Sequence, residues 1–133
     1  MMTSNKFAFG AFLLLTSSIA FATPSEFNIT SKVFIDGKLI SSPHLIVRVN
    51  QPATVVILND SGTEKLKLDV IANDAVAPGI QDAIKMNFDI HYVNGDNKFH
   101  SKPVFVVAPR QEGNIYLSQS GHSFEMYVQA VRE

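Results

Sequence analysis

The chain contains no cysteine and no tryptophan, and its 133 residues carry almost no net charge. The lack of cysteine excludes a disulfide framework, a thiolate metal cluster and a cysteine nucleophile. The 11 basic and 12 acidic side chains give a formal net charge of −1. A nucleic-acid-binding protein is expected to show a clear excess of Lys and Arg, so no nucleic-acid partner is predicted. The apolar content of 46% is typical of one compact domain rather than of a disordered chain.

The N-terminal residues 1–22 have the three-part form of a secretory signal peptide. A lysine gives a positive start, an apolar core runs from Phe7 to Leu15, and small side chains follow at Ala20 and Ala22. An uncleaved membrane anchor is the alternative, but a transmembrane helix needs roughly 20 apolar residues. Because the apolar core is much shorter than that, we expect cleavage after Ala22 and a single domain over residues 23–133.

The form of the signal is bacterial, so the mature protein is predicted to be periplasmic or secreted. No later segment approaches the length of a membrane span, and no membrane-spanning segment is therefore expected after cleavage. An exported domain without disulfides must be stabilised by its hydrophobic core alone.

Residues 23–133 have the pattern of short strands separated by turns. Apolar and polar side chains alternate with a period of two, which indicates half-buried strands, in the segments 27–35, 64–71, 84–93 and 124–130. Pro43 and Pro103 interrupt two further extended segments, and we expect both near sheet edges because proline cannot donate to a β-ladder. The pattern predicts an all-β fold, namely a single antiparallel β-sandwich of about seven or eight short strands. No internal repeat is evident.

The run from residue 35 to residue 58 resembles the β-domain of bacterial secretins. Asp36 to Pro43 is followed by the turn Asn50-Gln51-Pro52-Ala53. In the secretin β-domain, a strand that ends at a proline leads into a second strand, a turn of the N-Q-x-A type and a third strand. Similar stand-alone modules occur in other bacterial envelope proteins. The resemblance implies an envelope-associated β-module, and it does not imply a pore, because the chain is too short for the repeated periplasmic domains of a full secretin.

The best local candidate for a metal site is the pair Asp89 and His91. These residues stand two apart on a predicted strand, so they share its outward face. His100 would add a third ligand if the hairpin register brings it across from the pair. A solvated strand face is the alternative, since a catalytic zinc site usually needs three protein ligands. No cofactor is predicted.

Sequence motifs for catalysis are absent. The segment Ser120-Gly121-His122-Ser123 is followed closely by Glu125. His122 and Ser123 are adjacent and therefore point to opposite faces of an extended chain, whereas Ser120 and His122 could share a face. No nucleophile elbow is present to expose a serine, and no glycine-rich loop is present to bind phosphate. We therefore expect a protein without enzymatic activity.

Five aromatic residues are not assigned to a predicted core face: Phe105 and the four candidates for ligand binding, Phe34, Phe99, Tyr116 and Tyr127. If they point outward, they form a ligand-binding patch, because a sizeable exposed apolar surface usually has a use. A sheet covered on both sides would bury them instead.

Two function hypotheses follow. The leading one is an exported protein-interaction module that binds a partner protein in the envelope or outside the cell by strand pairing at a sheet edge. The alternative is an exported protein that binds a carbohydrate or another small ligand through the four aromatic residues.

Overall fold

The computed structural model describes residues 25–119 and 121–133, and this part of the chain is all-β. The predicted signal peptide, with Ala20 and Ala22, lies outside the described residues. The strands are β1 (Glu26–Ile35), β2 (Lys38–Ser41), β3 (His44–Arg48), β4 (Ala53–Leu58), β5 (Glu64–Asp74), β6 (Ile84–Asn94), β7 (Asn97–Ser101), β8 (Val104–Val107), β9 (Gly113–Gln119) and β10 (His122–Arg132). A search of the described residues finds no helix with the length and apolar character needed to cross a membrane.

The strands form two antiparallel sheets that pack together as a β-sandwich, which confirms the predicted fold class. Sheet A has the order β2–β1–β10–β9, with β3 also paired to β1. Sheet B has the order β4–β5–β6–β7, with β8 also paired to β6. One edge of each sheet therefore consists of two short strands placed end to end.

The described residues form ten strands, more than the predicted seven or eight, because two prolines each divide an extended segment. Pro43 lies between β2 and β3, and Pro103 lies between β7 and β8. Proline has no N–H, so the ladder is interrupted at each position. The carbonyl oxygens of both prolines still accept hydrogen bonds, from the amides of Ser31 and Phe88, at 3.0 Å in each case. Both divided strands lie at sheet edges, as predicted.

The hydrophobic core lies between the sheets and is built mainly from the four long strands. Alternate side chains of each strand are buried, as the period-two pattern predicts. The buried residues of β5 are Leu66, Leu68, Val70 and Ala72, and those of β10 are Phe124, Met126, Val128 and Ala130. The aromatic side chains of Phe27, Phe88 and Tyr92 are buried as well.

The described strands form an internal structural repeat, although no repeat is evident in the sequence. The first half (β1–β5) and the second half (β6–β10) follow the same course. In each half a long strand is followed by a tight turn, a divided edge strand and a hairpin in the opposite sheet. The last strand of each half pairs with the first strand of the other, since β5 pairs with β6 and β10 pairs with β1. Each sheet therefore contains strands from both halves.

Individual backbone contacts repeat between the halves. Asn50 and Arg110 both adopt positive φ, at 64° and 67°. Their amides donate to the carbonyls of Ala72 and Ala130 at 3.0 and 2.9 Å. The two residues hold equivalent places, each between a divided edge strand and the hairpin in the other sheet. These matched contacts show that the repeat extends to the hydrogen-bonding register.

The two halves are also joined by a contact between equivalent residues. Asp74 ends β5 and Arg132 ends β10. The guanidinium group of Arg132 donates to the Asp74 carboxylate, at 2.9 Å from Nε and 2.5 Å from Nη2. It also donates to the backbone carbonyls of Asp82 and Ala83, at 2.9 and 3.2 Å. Arg132 thus fixes the segment that connects the first half to the second.

Candidate functional site

The outward face of sheet B brings together Asp89, His91 and His100. Asp89 and His91 are on β6, and β7 places His100 directly across from His91. Nε2 of His91 lies 3.2 Å from Oδ1 of Asp89, and Nε2 of His100 lies 2.7 Å from the same oxygen. The imidazole rings stack with their centroids 4.0 Å apart and an interplanar angle of 18°. The structure therefore joins the predicted pair and places the third side chain beside it.

The electrostatics of this cluster favour a charged carboxylate. The hydrogen bond with His100 lowers the pKa of Asp89 below its ordinary value. Smaller contributions to this lowering come from the charges of His91, His100 and Lys102, while partial burial acts in the opposite direction. Asp89 is half-buried and both histidine side chains are more exposed, so the cluster is open to solvent on one side.

Three of the four predicted aromatic residues meet on the outward face of sheet A. The rings of Phe34 and Tyr127 contact each other edge to face, with centroids 5.9 Å apart and an interplanar angle of 79°. Tyr116 is 61% exposed and lies across from Glu125, which in turn pairs with Phe34 on its other side. The hydroxyl of Tyr127 donates to the Glu125 carboxylate at 2.9 Å. These residues form an aromatic patch with one acidic group.

Phe99 does not belong to this aromatic patch, because its side chain faces inward. Its ring stacks on Phe124 of the opposite sheet, with centroids 5.1 Å apart and an interplanar angle of 23°. With Ile35 and Tyr92 it lines a pocket at one end of the sandwich. The alternation of β7 places Phe99 on the inward face and the adjacent His100 outside.

His122 lies apart from Glu125 and contacts the turn between β1 and β2. Its Nδ1 is 2.9 Å from Oδ2 of Asp36. Oδ1 of Asp36 accepts a hydrogen bond from the Ser123 amide at 2.8 Å. Both contacts stabilise the charged carboxylate, so the pKa of Asp36 is lowered, with the His122 hydrogen bond as the larger cause. His122 thus joins two turns, while Ser120 lies outside the described residues.

Two edge strands are not divided by a proline: β9 in sheet A and β4 in sheet B. The sequence of β4 is Ala-Thr-Val-Val-Ile-Leu, which contains no charge, and its register with β5 is regular. Its outward side chains Val56 and Leu58 are 51% and 59% exposed. Natural edge strands usually carry a charge, a proline or a bulge that blocks pairing with another chain. β4 contains no charged residue, no proline and no bulge.

The backbone of β4 also offers unpaired groups at its edge. The Asn59 amide donates to the Glu64 carbonyl at 3.1 Å, at the closed end of the β4–β5 hairpin. Hydrogen-bonded and non-hydrogen-bonded pairs alternate along an antiparallel ladder. The register therefore places Thr54, Val56 and Leu58 at non-hydrogen-bonded positions. Their N–H and C=O groups point away from β5, where no other described strand pairs with β4.

The sequence interpretation expected strand pairing at the two proline-bearing edges and missed β4. The sequence of residues 53–58 has the pattern of an apolar strand, but this pattern does not specify which strands lie beside it. A run of four apolar residues, Val55 to Leu58, without a charge was the available signal. Such a run is equally typical of a fully buried strand, so topology is needed to recognise it as an edge.

No family model, no curated protein and no solved structure matches this chain.

Proposed function

We propose that this chain is an exported, non-enzymatic protein-interaction module that binds an extended segment of a partner protein at the β4 edge. The observation that carries this proposal is the undivided, uncharged and apolar β4 strand with its open backbone edge. The partner is an envelope protein or a protein outside the cell.

Strand addition uses the groups that β4 presents. The amide and carbonyl groups of Thr54, Val56 and Leu58 would continue the ladder of sheet B into the bound segment. The outward side chains of Val56 and Leu58 would contact alternate residues of that segment on one face. The half-buried Val55 and Ile57 would contact it on the other face. Apolar side chains on both faces favour a partner segment that is itself largely apolar.

An envelope location is supported by two features of the sequence. Residues 1–22 have the form of a signal peptide, and the resemblance to the secretin β-domain covers residues 35–58. The last strand of that segment is β4, the edge at which we propose binding. Both features remain predictions, and neither identifies the partner.

Proline substitution at Val56 tests the proposal. Since the Val56 N–H points away from β5, proline removes a donor to the partner and leaves the β4–β5 ladder intact. Tyr116→Pro in β9 is the matched control, because Tyr116 holds the equivalent register position in the second half. We expect a pull-down from the source organism with the mature chain to lose its partner with Val56→Pro and to retain it with Tyr116→Pro.

Circular dichroism and urea unfolding of both variants show whether loss of capture reflects loss of fold. Capture by a folded Val56→Pro variant at the level of the unsubstituted chain would contradict binding at β4. Capture lost only with Tyr116→Pro would move the binding surface to the aromatic patch of sheet A.

The aromatic patch supports a second candidate function, the binding of a carbohydrate or another small ligand. Phe34, Tyr116 and Tyr127 lie on one outward face, and the Glu125 carboxylate can accept hydrogen bonds from ligand hydroxyl groups. A ligand that binds the native state raises the melting temperature. We expect a saccharide that raises the melting temperature to lose its effect with Tyr116→Ala but not with Val56→Ala. A saccharide screen without any shift would contradict this second function.

A further inference from the structure

We propose that Asp89, His91 and His100 form a binding site for a Zn²⁺ ion on the outward face of sheet B. The site lies on β6 and β7 and does not include the β4 edge, so it does not depend on the proposed protein-binding function.

The three ligand atoms already have separations close to those of a zinc site. Zn–N and Zn–O bonds are about 2.0–2.1 Å long, so neighbouring ligands of a tetrahedral ion stand roughly 3.3 Å apart. The Asp89 oxygen is 3.2 Å from the His91 nitrogen and 2.7 Å from the His100 nitrogen. All three ligand atoms lie within 4.8 Å of one another. Because the two imidazole rings are stacked nearly parallel, they must rotate about their side-chain torsions before both Nε2 lone pairs converge on one ion.

The donor set selects the class of ion. Two imidazole nitrogens and one carboxylate oxygen suit Zn²⁺ and other divalent first-row transition-metal ions, whereas Ca²⁺ and Mg²⁺ require sites built from oxygen. Both imidazoles must be neutral to bind, with the Nε2 lone pair directed at the ion. Three protein ligands leave a fourth position, which water or a donor atom of another molecule can fill on the solvent-exposed side.

The charge arrangement around Asp89 provides an independent reason for a cation. Asp89 lies directly across from Asp69 in the β5–β6 ladder. Like charges in directly opposed positions destabilise a sheet. Asp69 is engaged by Thr54 and by Lys67, whose Nζ lies 3.8 Å from its carboxylate. A cation at Asp89 would offset the repulsion that this opposed pair creates.

The internal repeat shows that the fold itself does not require these three residue types. The register equivalents in sheet A are Lys32, Phe34 and Leu39, which have no common ligand chemistry. In each half, two of the three residues lie on the long strand, and the third lies across from one of them on the hairpin partner. The appearance of three ligands in only one half therefore points to a role specific to that half.

Isothermal titration of untagged mature protein with ZnCl₂ tests the site, because a histidine tag would bind the ion itself. We expect one Zn²⁺ per chain, and we expect His91→Ala and His100→Ala each to weaken binding by more than about tenfold. His44→Ala is the matched control, since His44 is an exposed histidine of β3 in sheet A, where it contacts Asn28 of the neighbouring β1. The affinity of the His44→Ala variant for Zn²⁺ should equal that of the unsubstituted chain.

A failure to bind Zn²⁺, or equal affinities in all these proteins, would overturn the proposal. Because the two histidine side chains are 45% and 51% exposed, their alanine variants are expected to fold, and circular dichroism verifies this. Long-range ¹H–¹⁵N spectra of the imidazoles give a second readout. Zinc-dependent shifts of Nε2 in His91 and His100 support the site, whereas shifts confined to His44 or His122 contradict it.

Discussion

The two halves of the chain share their inward positions and differ in their outward ones. On the inward side, the buried residues of β5 and β10 occupy the same places along each strand. On the outward side, the first half has Lys32, Phe34 and Leu39 where the second half has Asp89, His91 and His100. The shared core explains why both halves fold in the same way, while the outward faces are free to carry different chemistry.

The two undivided edge strands, β4 and β9, also share their backbone register and differ in their outward side chains. Val56 and Leu58 of β4 are apolar, whereas their equivalents in β9 are Tyr116 and Ser118. Both strands have the same register with their hairpin partner, so the backbone groups at the two edges are alike. The side chains therefore decide which edge favours an apolar partner strand.

The largest expected effects come from equivalent core positions. Leu68 of β5 and Met126 of β10 are both fully buried and hold the same place in the repeat. Leu68→Ala and Met126→Ala should each lower the free energy of unfolding by roughly 2–5 kcal/mol through lost apolar burial and the cavity left behind. Urea unfolding should show one cooperative transition in both cases, because each sheet contains strands from both halves. Two separate transitions would show that the halves unfold independently.

A smaller change in the free energy of unfolding is expected at a pair of equivalent positions where the two halves differ by one methyl group. Gly113 of β9 is the equivalent of Ala53 of β4. A Cβ at Gly113 would stand 2.8 Å from Cδ1 of the buried Phe105 ring. Gly113→Ala should therefore destabilise the protein by about 1–3 kcal/mol through overpacking. The converse change, Ala53→Gly, should cost about 0.5–1 kcal/mol through backbone entropy, and urea unfolding measures both. Greater stability of Gly113→Ala would contradict the predicted clash.

Part of the loss of stability at alkaline pH should come from Tyr92, at one end of sheet B. Burial, together with a hydrogen bond to Glu64, raises the pKa of Tyr92 from 10 to about 12. A group with a raised pKa contributes stability below its unfolded pKa and loses it as the pH rises through the folded pKa. Stability should therefore fall between pH 10 and about 12. In urea titrations, Tyr92→Phe should reduce this fall, and Tyr116→Phe, at an exposed position, should not.

Part of the loss of stability at acidic pH should come from Asp36, in the turn between β1 and β2 of sheet A. Contacts with His122 and Ser123 hold the pKa of Asp36 below its usual 3.8. A group with a lowered pKa stabilises the fold above the unfolded value and loses this contribution as the pH falls through the folded one. Asp36→Asn should therefore flatten the loss of stability below about pH 4. Asp60→Asn, in the exposed β4–β5 turn, is the control, and equal acid curves for both variants would refute the assignment.

Period-two alternation predicts the inward faces of the long strands, because a strand that is buried on one side has apolar side chains at every second position. Pro43 and Pro103 predict edges because a missing N–H is a local property. The position of His100 across from His91 depends on the hairpin register, which alternation does not specify. The open edge of β4 depends on which strands lie beside it.

The internal repeat was not predicted for a similar reason. Five residues of the first half recur at one constant spacing in the second half, while the positions between them differ in residue type: Lys38, Ser41, Pro43, Val47 and Gln51 correspond to Lys98, Ser101, Pro103, Val107 and Gln111. Such scattered matches do not distinguish a repeat from the general pattern of a β-sandwich. The equivalence becomes visible in backbone contacts, such as the turns that Gln51 and Gln111 close on Arg48 and Ala108.

Amide hydrogen exchange in the presence of the captured partner tests strand addition at β4 most directly. If the partner adds a strand, the outward amides of Thr54, Val56 and Leu58 should become protected from exchange. The equivalent amides of Asn114, Tyr116 and Ser118 in β9 should keep their exchange rates. Unchanged exchange along β4, or new protection confined to β9, would contradict binding at the β4 edge.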